Sequence, residues 1–207
     1  MNAAARALDP VAVAILEAAL VEFANFGFAG ARIDAIVART ATSKRMVYYH
    51  FGSKEGLYVA TLDYAYRSVD DAQVRAEVEN LPPLEALAVF AGTAFDRFCE
   101  HPDFIRLTMQ ENLQGGRFLK NSPALTRMNQ ERLGVVERIL ARGRADGTVR
   151  QDIAALDVYI NFVGLCAYHV SARHSYQIFF DLDWSDPRKQ RSRKSAICDA
   201  IVRYVRR

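Results

Sequence analysis

One segment near the N-terminus combines positive charge with aromatic and hydroxyl side chains. Between residues 39 and 54 the chain carries four basic residues and no acidic one, and Ser43-Lys44-Arg45 is followed one turn later by Tyr48-Tyr49-His50. Lysine and arginine bind phosphates and base edges, while tyrosine hydroxyls and histidine N–H groups suit phosphate oxygens. Aromatic edges also suit thymine methyl groups. The segment therefore predicts a surface that binds double-stranded DNA.

The elements that must position this segment are predicted to be short helices. Asp9-Pro10 is typical of a helix start, and Gly27 is typical of a helix end. A second helix of about two turns follows from Ile33, and Thr42 or Ser43 can cap a third. Two helices joined by a tight turn form a helix-turn-helix, whose second helix enters the major groove.

The remainder of the chain also has the apolar spacing of helices, and no segment alternates as a strand would. We predict an all-α fold of about nine helices. Residues 1–54 would form the DNA-binding domain and residues 55–207 a larger helical domain. The polar stretch before Pro82-Pro83 is expected to be a connection, whereas residues 155 to about 177 are expected to form one helix that is buried on more than one side.

Composition argues against several classes of protein. Cys99, Cys166 and Cys198 match no zinc signature, and an odd number gives no closed disulfide framework. The first ten residues lack the apolar run of a signal peptide, and the apolar stretch 158–172 is shorter than the roughly 20 residues that a bilayer requires. We expect a cytoplasmic protein with no membrane partner, no bound metal and no cofactor.

Residues 43–57, SKRMVYYHFGSKEGL, closely resemble the N-terminal domain of the TetR family, as do residues 15–23, Gly27-Phe28 and Ile36. The YYHF sequence followed by GSKE is far more specific than a generic helix-turn-helix pattern. The resemblance implies a TetR-like fold and a homodimeric transcriptional regulator. Such a regulator binds a palindromic DNA operator and, as a repressor, is released from it by a small-molecule effector.

The resemblance also implies individual roles in DNA binding. Lys44, Arg45 and Tyr48 would face bases, with Val47 and Phe51 in the core. The phosphates would be held by Ser43, Tyr49, His50 and Lys54, although Tyr49 could serve mainly in packing. Two positions depart from the family pattern: Ala41 replaces a glycine that often has positive φ, at a cost of about 1 kcal/mol. Ala31-Arg32 replaces a capping threonine or serine, so that Arg32 would take over its phosphate contact.

The C-terminal half is where the resemblance implies ligand binding and dimerisation. We expect the last two helices to form the dimer interface, through Phe162, Cys166, Ile197, Ile201 and Tyr204. Apolar side chains with few polar anchors are typical of a small-molecule pocket, and equally of an ordinary core. The candidate ligand-binding residues are Phe95, Cys99, Phe104, Met109, Asn112, Met128, Phe162, His169 and Trp184. Among them, Asn112 and His169 are expected to be polar groups whose burial a ligand could satisfy.

Other interpretations are an enzyme and an adaptor that has lost DNA binding. Thiol or metal chemistry could be imagined for Cys99, His101, Cys166, His169 and His174, but their spacing contains no HExxH or CxxC pattern, and no glycine-rich phosphate loop is present. We therefore predict that the protein is not an enzyme. Ala41 is the residue that favours the adaptor. A second basic cluster, at positions 188, 189, 191, 193 and 194, indicates a solvated helix start more than a further nucleic-acid surface.

Overall fold

A computed structural model describes residues 9–207, with Asn121 described by its backbone alone, and these residues form an all-α fold. Residues 1–8, which belong to the segment without a signal-peptide pattern, lie outside the described residues. Within 9–207 there is no β-strand, only an isolated bridge between Val149 and Arg206. The described part of the chain contains eleven α-helices: α1 Pro10–Gly30, α2 Ile33–Ala38, α3 Lys44–Phe51, α4 Lys54–Ser68, α5 Ala72–Val78, α6 Pro83–Glu100, α7 Pro102–Leu113, α8 Pro123–Ala145, α9 Ala155–Ser171, α10 Arg173–Phe180 and α11 Pro187–Val205.

The chain divides into two compact units. The first unit comprises the chain up to Ser68 together with Arg106–Leu125, and the second comprises Val69–Ile105 and Thr126–Arg207. The first unit thus extends beyond residue 54, where we expected a boundary, because α4 packs along α1 and the segment Arg106–Leu125 packs on α4. Within that unit the ring centroids of Tyr58 and Phe118 are 4.8 Å apart.

The core of the first unit is built on α1. Its apolar residues Ile15, Leu16 and Phe23 are buried, and the Phe23 ring meets Tyr58 of α4 edge-on at 4.8 Å. By length and composition, α1 is the one helix within residues 9–207 that could cross a membrane. The packing against α4 accounts for its apolar composition.

A buried carboxylate organises the segment Arg106–Leu125. Glu111 is 1 % exposed and accepts hydrogen bonds from the backbone N–H groups of Phe118 and Leu119. Burial and, secondly, this carboxylate raise the pKa of the Tyr58 phenol. The Ser122 hydroxyl donates to Asp63 Oδ1 at 2.6 Å. These contacts make the segment a part of the first unit.

In the second unit, α6 lies at the centre and packs against α5, α9 and α11. Its buried residues form one core with those of the neighbouring helices, including Leu87, Phe90, Val136, Leu140, Phe162 and Ile201. Helix α5 was expected to be a polar connection. It forms because the Asp71 side chain caps its start, accepting from Val74 N at 3.0 Å, and because Val74 and Val78, one turn apart, are both buried.

Residues 155–177 are not one helix, because the chain breaks at Ala172 between α9 and α10. Helix α9 buries one stripe of residues, Val158, Phe162 and Cys166, and leaves Leu156, Ile160 and Tyr168 exposed. The burial that we expected on more than one side of this helix is therefore not observed within a single chain. Helix α10 buries none of its residues, and its last three, Ile178, Phe179 and Phe180, are 78 %, 73 % and 63 % exposed.

We expected helix α1 to end at Gly27. Instead, the helix kinks there and continues for one more turn. Gly27 has φ +64° and ψ −179°, a region that is essentially restricted to glycine. A Cβ atom at this position would also lie 3.3 Å from Gln110 Oε1. The kink thus requires glycine both by conformation and by the space around it.

We predict that Gly27→Ala lowers the free energy of unfolding by about 1–3 kcal/mol, because the side chain must adopt a strained backbone conformation. Urea unfolding followed by circular dichroism measures the change. Gly30→Ala in the same helix is the matched control, because its Cβ would lie 3.4 Å from Phe26 Cβ without a positive φ. Equal stability of the two variants would contradict the strain.

Candidate nucleic-acid interface and cavity

Helix α3 is capped at both ends and held to the first unit by one buried residue. The Ser43 hydroxyl accepts from Met46 N at 3.4 Å, as a cap formed by Thr42 or Ser43 predicts. At the other end, Gly52 has φ +75°, and its N–H donates to the Tyr48 carbonyl at 2.9 Å. Val47 is fully buried. The opposite face of this two-turn helix is therefore turned to solvent.

Most of the predicted DNA-binding residues lie on exposed surface. Tyr48 is 46 % and Tyr49 77 % exposed, so that neither ring belongs to the core. The Lys44 ammonium lies 2.6 Å from Asp34 Oδ1 of α2, in a pair whose two side chains are both more than half exposed. The other exposed members are Arg32, Ser43 and Arg45. The arrangement presents cations, hydroxyls and aromatic edges on one element.

His50 and Lys54 are less accessible than the other predicted DNA-binding residues. The His50 side chain is 13 % exposed, with Nε2 at 3.7 Å from Asp9 Oδ2. The Lys54 ammonium donates to the Ala31 carbonyl at 2.6 Å and lies 5.0 Å above the centre of the Phe28 ring. The Lys54 contacts thus connect α4 to the end of α1, whereas His50 Nε2 has no hydrogen-bond partner among the described residues.

A buried glutamate that the sequence did not single out joins α1 to α2. Glu22 is 3 % exposed, and its Oε1 accepts from the backbone N–H of Arg32 at 3.1 Å. Its Oε2 lies 3.7 Å from an Arg39 guanidinium nitrogen. Arg32, the residue before α2, has no capping side chain, so the Glu22 carboxylate satisfies that N–H instead. The feature of the sequence that could have indicated this role is a charged residue on the apolar stripe of α1, between Ala19 and Phe23.

The expectation that Ala41 would be strained is wrong. Within residues 9–207 the one non-glycine residue with positive φ is Asp181, so that Ala41 lies in a conformation open to any L-residue. The turn between α2 and α3 does not need glycine here, and the cost of about 1 kcal/mol does not arise.

The second unit contains a cavity of about 50 Å³. Its apolar walls come from α6 and α9, with Phe90 and Phe98 on the former and Phe162 and Val163 on the latter. The Phe90 and Phe162 rings meet edge-on at 5.8 Å. The polar and charged side chains that line it are Asp70, Asp71, Arg75, Thr93, Arg97, Arg132 and Tyr159.

Ion pairs connect these charged groups across three helices. The Asp70 carboxylate pairs with Arg75 of α5 and lies 3.3 Å from Arg132 of α8. Asp71 lies 2.8 Å from Arg97 of α6. The backbone N–H of Val74 and then the Arg97 guanidinium lower the pKa of Asp71. Burial raises the pKa of Tyr159.

The predicted ligand-binding residues are not gathered in one place. Phe162 lines the cavity, whereas Phe95 and Cys99 line a separate open groove between α6 and α11. His169 is buried and lies between Phe95, at 5.0 Å, and the edge-on ring of Trp184, at 4.6 Å. Within residues 9–207, neither its Nδ1 nor the indole N–H of Trp184 has a hydrogen-bond partner.

The remaining members of that set lie elsewhere. Phe104 is buried against Phe98 at 5.5 Å, and Met128 is half-buried on α8. Met109 and Asn112 belong to the first unit and are exposed. The Asn112 amide donates to the Thr108 carbonyl at 2.8 Å, so the expectation of a buried polar group is wrong for Asn112. The charged lining of the cavity, from α5 and α8, was missed because α5 was not predicted.

Four of the five expected dimer-interface residues lie in the core of the second unit. Phe162, Cys166, Ile197 and Ile201 are at most 2 % exposed in a single chain, so these side chains have no surface to offer a partner, and Tyr204 alone of the five is exposed. The predicted stripe is the inward one, because the most apolar stripe of these helices packs within the chain. The outward face contains an open groove lined by Ile160, Asn161, Gly164, Leu165, Ala200, Ile201 and Tyr204.

The cysteines do not have the surroundings of reactive thiols. Burial raises the pKa of Cys99 to about 11 and that of Cys166 to about 12. Both are protonated at neutral pH, whereas the thiolate is the nucleophile. Across residues 9–207 no three His, Cys, Asp or Glu residues are grouped as metal ligands would be.

Two family models match the chain. "Bacterial regulatory proteins, tetR family" matches residues 15–61, and "Tetracyclin repressor-like, C-terminal domain" matches residues 83–201. The transcriptional repressor NicS of Pseudomonas putida is 32 % identical over 193 residues, which are 93 % of this chain and 91 % of that protein. The transcriptional regulator RutR of Escherichia coli is 35 % identical over 117 residues, 55 % of this chain and 53 % of RutR.

Solved structures have a similar fold. The transcriptional regulator SCO4942 of Streptomyces coelicolor superposes with a TM-score of 0.70 at 24 % identity, over 94 % of this chain and 98 % of that one. FadR of Bacillus subtilis superposes with a TM-score of 0.68 at 14 % identity, over 92 % and 97 % of the two chains. At these identities the similarity concerns the fold alone.

His169 is predicted to make stability depend on pH. Burial, and then the Arg193 and Arg173 charges, lower its pKa from 6.5 to about 4. Between these values the unfolded chain binds a proton that the folded chain does not, so stability falls as the pH falls from about 6.5 to about 4. Urea unfolding across this range should show a smaller loss for His169→Phe, which keeps a ring, than for the wild type.

The exposed imidazole of His174 in the same unit provides the control. His174→Phe, which makes the same replacement at an exposed position, is the matched control for the loss of a histidine. Parallel pH profiles for the wild type and His169→Phe would show that His169 has no such role.

Proposed function

The chain belongs to the TetR family of bacterial transcriptional regulators, and we propose that it represses transcription as a homodimer that binds a palindromic operator. The dimer leaves the operator when a small molecule occupies the cavity of the second unit. The observation that carries the proposal is the solvent-facing side of α3, with its cations, hydroxyls and aromatic edges. A bacterial operator makes the cytoplasm its place of action.

In the proposed complex, the N-terminal half of α3 lies in the major groove. Lys44, Arg45 and Tyr48 contact bases there, while Ser43, Tyr49 and Arg32 contact phosphates. The Lys44–Asp34 pair supports this role, because an exposed ion pair contributes only about 0–1 kcal/mol and exchanges readily for DNA. The Asp34 carboxylate also offsets the charge of Lys44 on the free surface.

Lys54 and His50 bind phosphate in this proposal, and Lys54 keeps its intramolecular partner while it does so. An ammonium group has three donors, and the Ala31 carbonyl takes one of those of Lys54. Lys54 also begins α4, where unsatisfied backbone N–H groups favour an anion. These contacts would hold the register of the protein on the duplex, with little sequence preference of their own.

A homodimer is proposed because one recognition helix contacts only a few base pairs. Two-fold symmetry adds a second recognition helix about 34 Å away, in the next major groove on the same side of the duplex. The exposed stripe of α9, with Leu156, Ile160, Gly164 and Tyr168 at intervals of four residues, supports an interface there. Together with the exposed face of α11, two copies form a four-helix contact.

Release by an effector is proposed to act through the chain crossings between the two units. These crossings follow Ser68, Ile105 and Leu125, and the last two lie inside the continuous helices α7 and α8. Arg132, which lines the cavity, is on α8. A ligand that binds one arrangement of α8 better than another thus shifts the population of arrangements of the first unit.

Replacing Lys44 or Tyr48 with alanine should weaken binding to an operator selected from random duplexes by about 1–3 kcal/mol, or roughly 5- to 150-fold, because each removes a base contact. Fluorescence anisotropy at fixed salt measures the dissociation constant. Arg67→Ala, which removes an exposed charge from the last turn of α4, is the control and should bind nearly as the wild type does. Unchanged affinity in both α3 variants would favour the adaptor.

Gly164→Arg should convert the dimer into monomers, because the added charge has no partner at the centre of the proposed interface. Within the chain a Cβ at Gly164 meets no atom within 4 Å, so that the protomer itself accommodates the change. Sedimentation equilibrium should show the dimer dissociation constant rising by about 100-fold or more. Gly164→Ala is the matched control, and an unaffected dimer in the arginine variant would place the interface elsewhere.

A further inference from the structure

Helix α10 presents an apolar end that its own chain does not cover. Ile178, Phe179 and Phe180 are mostly exposed, and none of the eight residues of α10 is buried. A helix of this length is marginal in water unless it packs on something else. Helix α10 therefore needs a further surface, and its last turn needs an apolar one.

The exposed end of α10 is continuous with the exposed stripe of α9. Tyr168, which belongs to that stripe, and Tyr176 have ring centroids 6.0 Å apart, and the centroids of Tyr176 and Phe180 are 5.8 Å apart. The Phe180 ring is in turn 6.4 Å from that of Phe179. A row of rings thus leads from the face that we propose for the dimer onto the end of α10.

The area of this end is a substantial part of what an interface requires. An aromatic side chain buries about 150–250 Å² when it is fully covered, so the exposed parts of Ile178, Phe179 and Phe180 together present roughly 300–450 Å². A stable complex buries about 800 Å² on each partner. The end of α10 can thus supply nearly half of that area, and the stripe of α9 adds to it.

The outward face of α9 and α11 carries a groove with the size and chemistry to receive aromatic side chains. The groove has a volume of about 390 Å³, and its lining includes Ile160, Gly164, Ala200 and Tyr204. None of the described residues that line it is charged. Whole small molecules occupy pockets of about 300–1,000 Å³, so this groove has room for one or two phenyl rings.

Two-fold symmetry can bring the row of rings to this groove. In an isologous contact each protomer gives its partner the same surface that it receives, so rings and groove both occur twice. Where two copies of α9 cross antiparallel at Gly164, residues equally far on either side of Gly164 come opposite one another. Ile160 and Tyr168 are each four residues, or about 6 Å, from Gly164. The row that starts at Tyr168 of one protomer therefore begins opposite the groove wall at Ile160 of the other.

We propose that α10 packs on a second copy of this chain, with the apolar end at residues 178–180 of each protomer in the groove between α9 and α11 of its partner. This inference rests on the homodimer proposed above and adds the element that completes its interface. A parallel crossing of the two α9 helices would bring the two α10 ends together and leave both grooves empty. The antiparallel crossing covers the helix end and the groove at once.

Phe179→Asp should raise the dimer dissociation constant by about 100-fold or more, because a charge without a partner would enter an apolar groove. Sedimentation equilibrium of the full chain measures this constant. Gln177→Asp is the matched control, because it adds the same charge at an exposed position about 200° around the same helix, and its constant should change by less than about threefold. A Phe179→Asp variant that dimerises as the wild type does would overturn the proposal.

Disulfide cross-linking tests the arrangement in a dimer that stays intact. Phe179→Cys and Ala200→Cys chains of different mass are mixed, allowed to exchange subunits and oxidised, and a disulfide forms only where two Cα atoms come within about 7 Å. The expected product contains one chain of each kind. Wild-type chains control for Cys99, Cys166 and Cys198, which are buried or half-buried. Cross-linking of Phe179→Cys to itself would show that the two α10 ends meet, and would overturn the proposal.

The outcomes separate this inference from the dimer on which it rests. A wild-type chain that sediments as a monomer would count against the proposed homodimer and against this inference together. A wild-type dimer that Gly164→Arg dissociates and Phe179→Asp leaves intact would overturn the α10 contact alone. Dissociation by both substitutions, with the Gln177→Asp dimer intact, supports the α10 contact.

Discussion

Everything proposed for this protein depends on holding a helix that is too short to be stable by itself. Helix α3 has eight residues, whereas isolated helices shorter than about 12–15 residues are marginal in water. Its conformation therefore comes from the Ser43 cap, the Gly52 end and the burial of Val47. Because Val47 is the one fully buried residue of α3, the exposed side chains of this helix can contact DNA. Glu22 extends the same constraint to α2, since its carboxylate fixes the backbone where that helix starts.

The two units meet their polar requirements in different ways. In the first, single buried carboxylates such as Glu22 and Glu111 accept backbone N–H groups, and thereby fix the course of the chain. In the second, Asp70 and Asp71 pair with arginines from three helices around a small space. Carboxylates that bind the backbone hold it rigidly, because a backbone N–H group cannot move away from its carboxylate unless that segment of the chain unfolds. Ion pairs between side chains can exchange partners, and this makes the second arrangement suitable for an effector.

The sequence predicted the elements with strong local signals, and failed where the outcome depended on packing. The caps at Asp9 and Ser43 and the helical class of the fold follow from residue types and spacing. Helix α5 was missed because its two buried valines lie in a polar stretch. The cavity could not be found without α5, since Asp70, Asp71 and Arg75 enter it from that segment. Likewise, the most apolar stripe of α9 was assigned to a partner, although the neighbouring helices of the same chain cover it.

The exposed end of α10 has a consequence for how the protein is handled in the cell. Ile178, Phe179 and Phe180 form a surface that a solitary chain turns to water, and contiguous apolar surface of this kind promotes aggregation. Quality-control proteases and chaperones act on chains that expose such surface. An interface that extends from α9 onto α10, which follows it directly, would cover this surface on pairing, so that chains that fail to pair are the ones removed. The amount of regulator then rises more steeply than its synthesis rate, because pairing depends on the square of chain concentration.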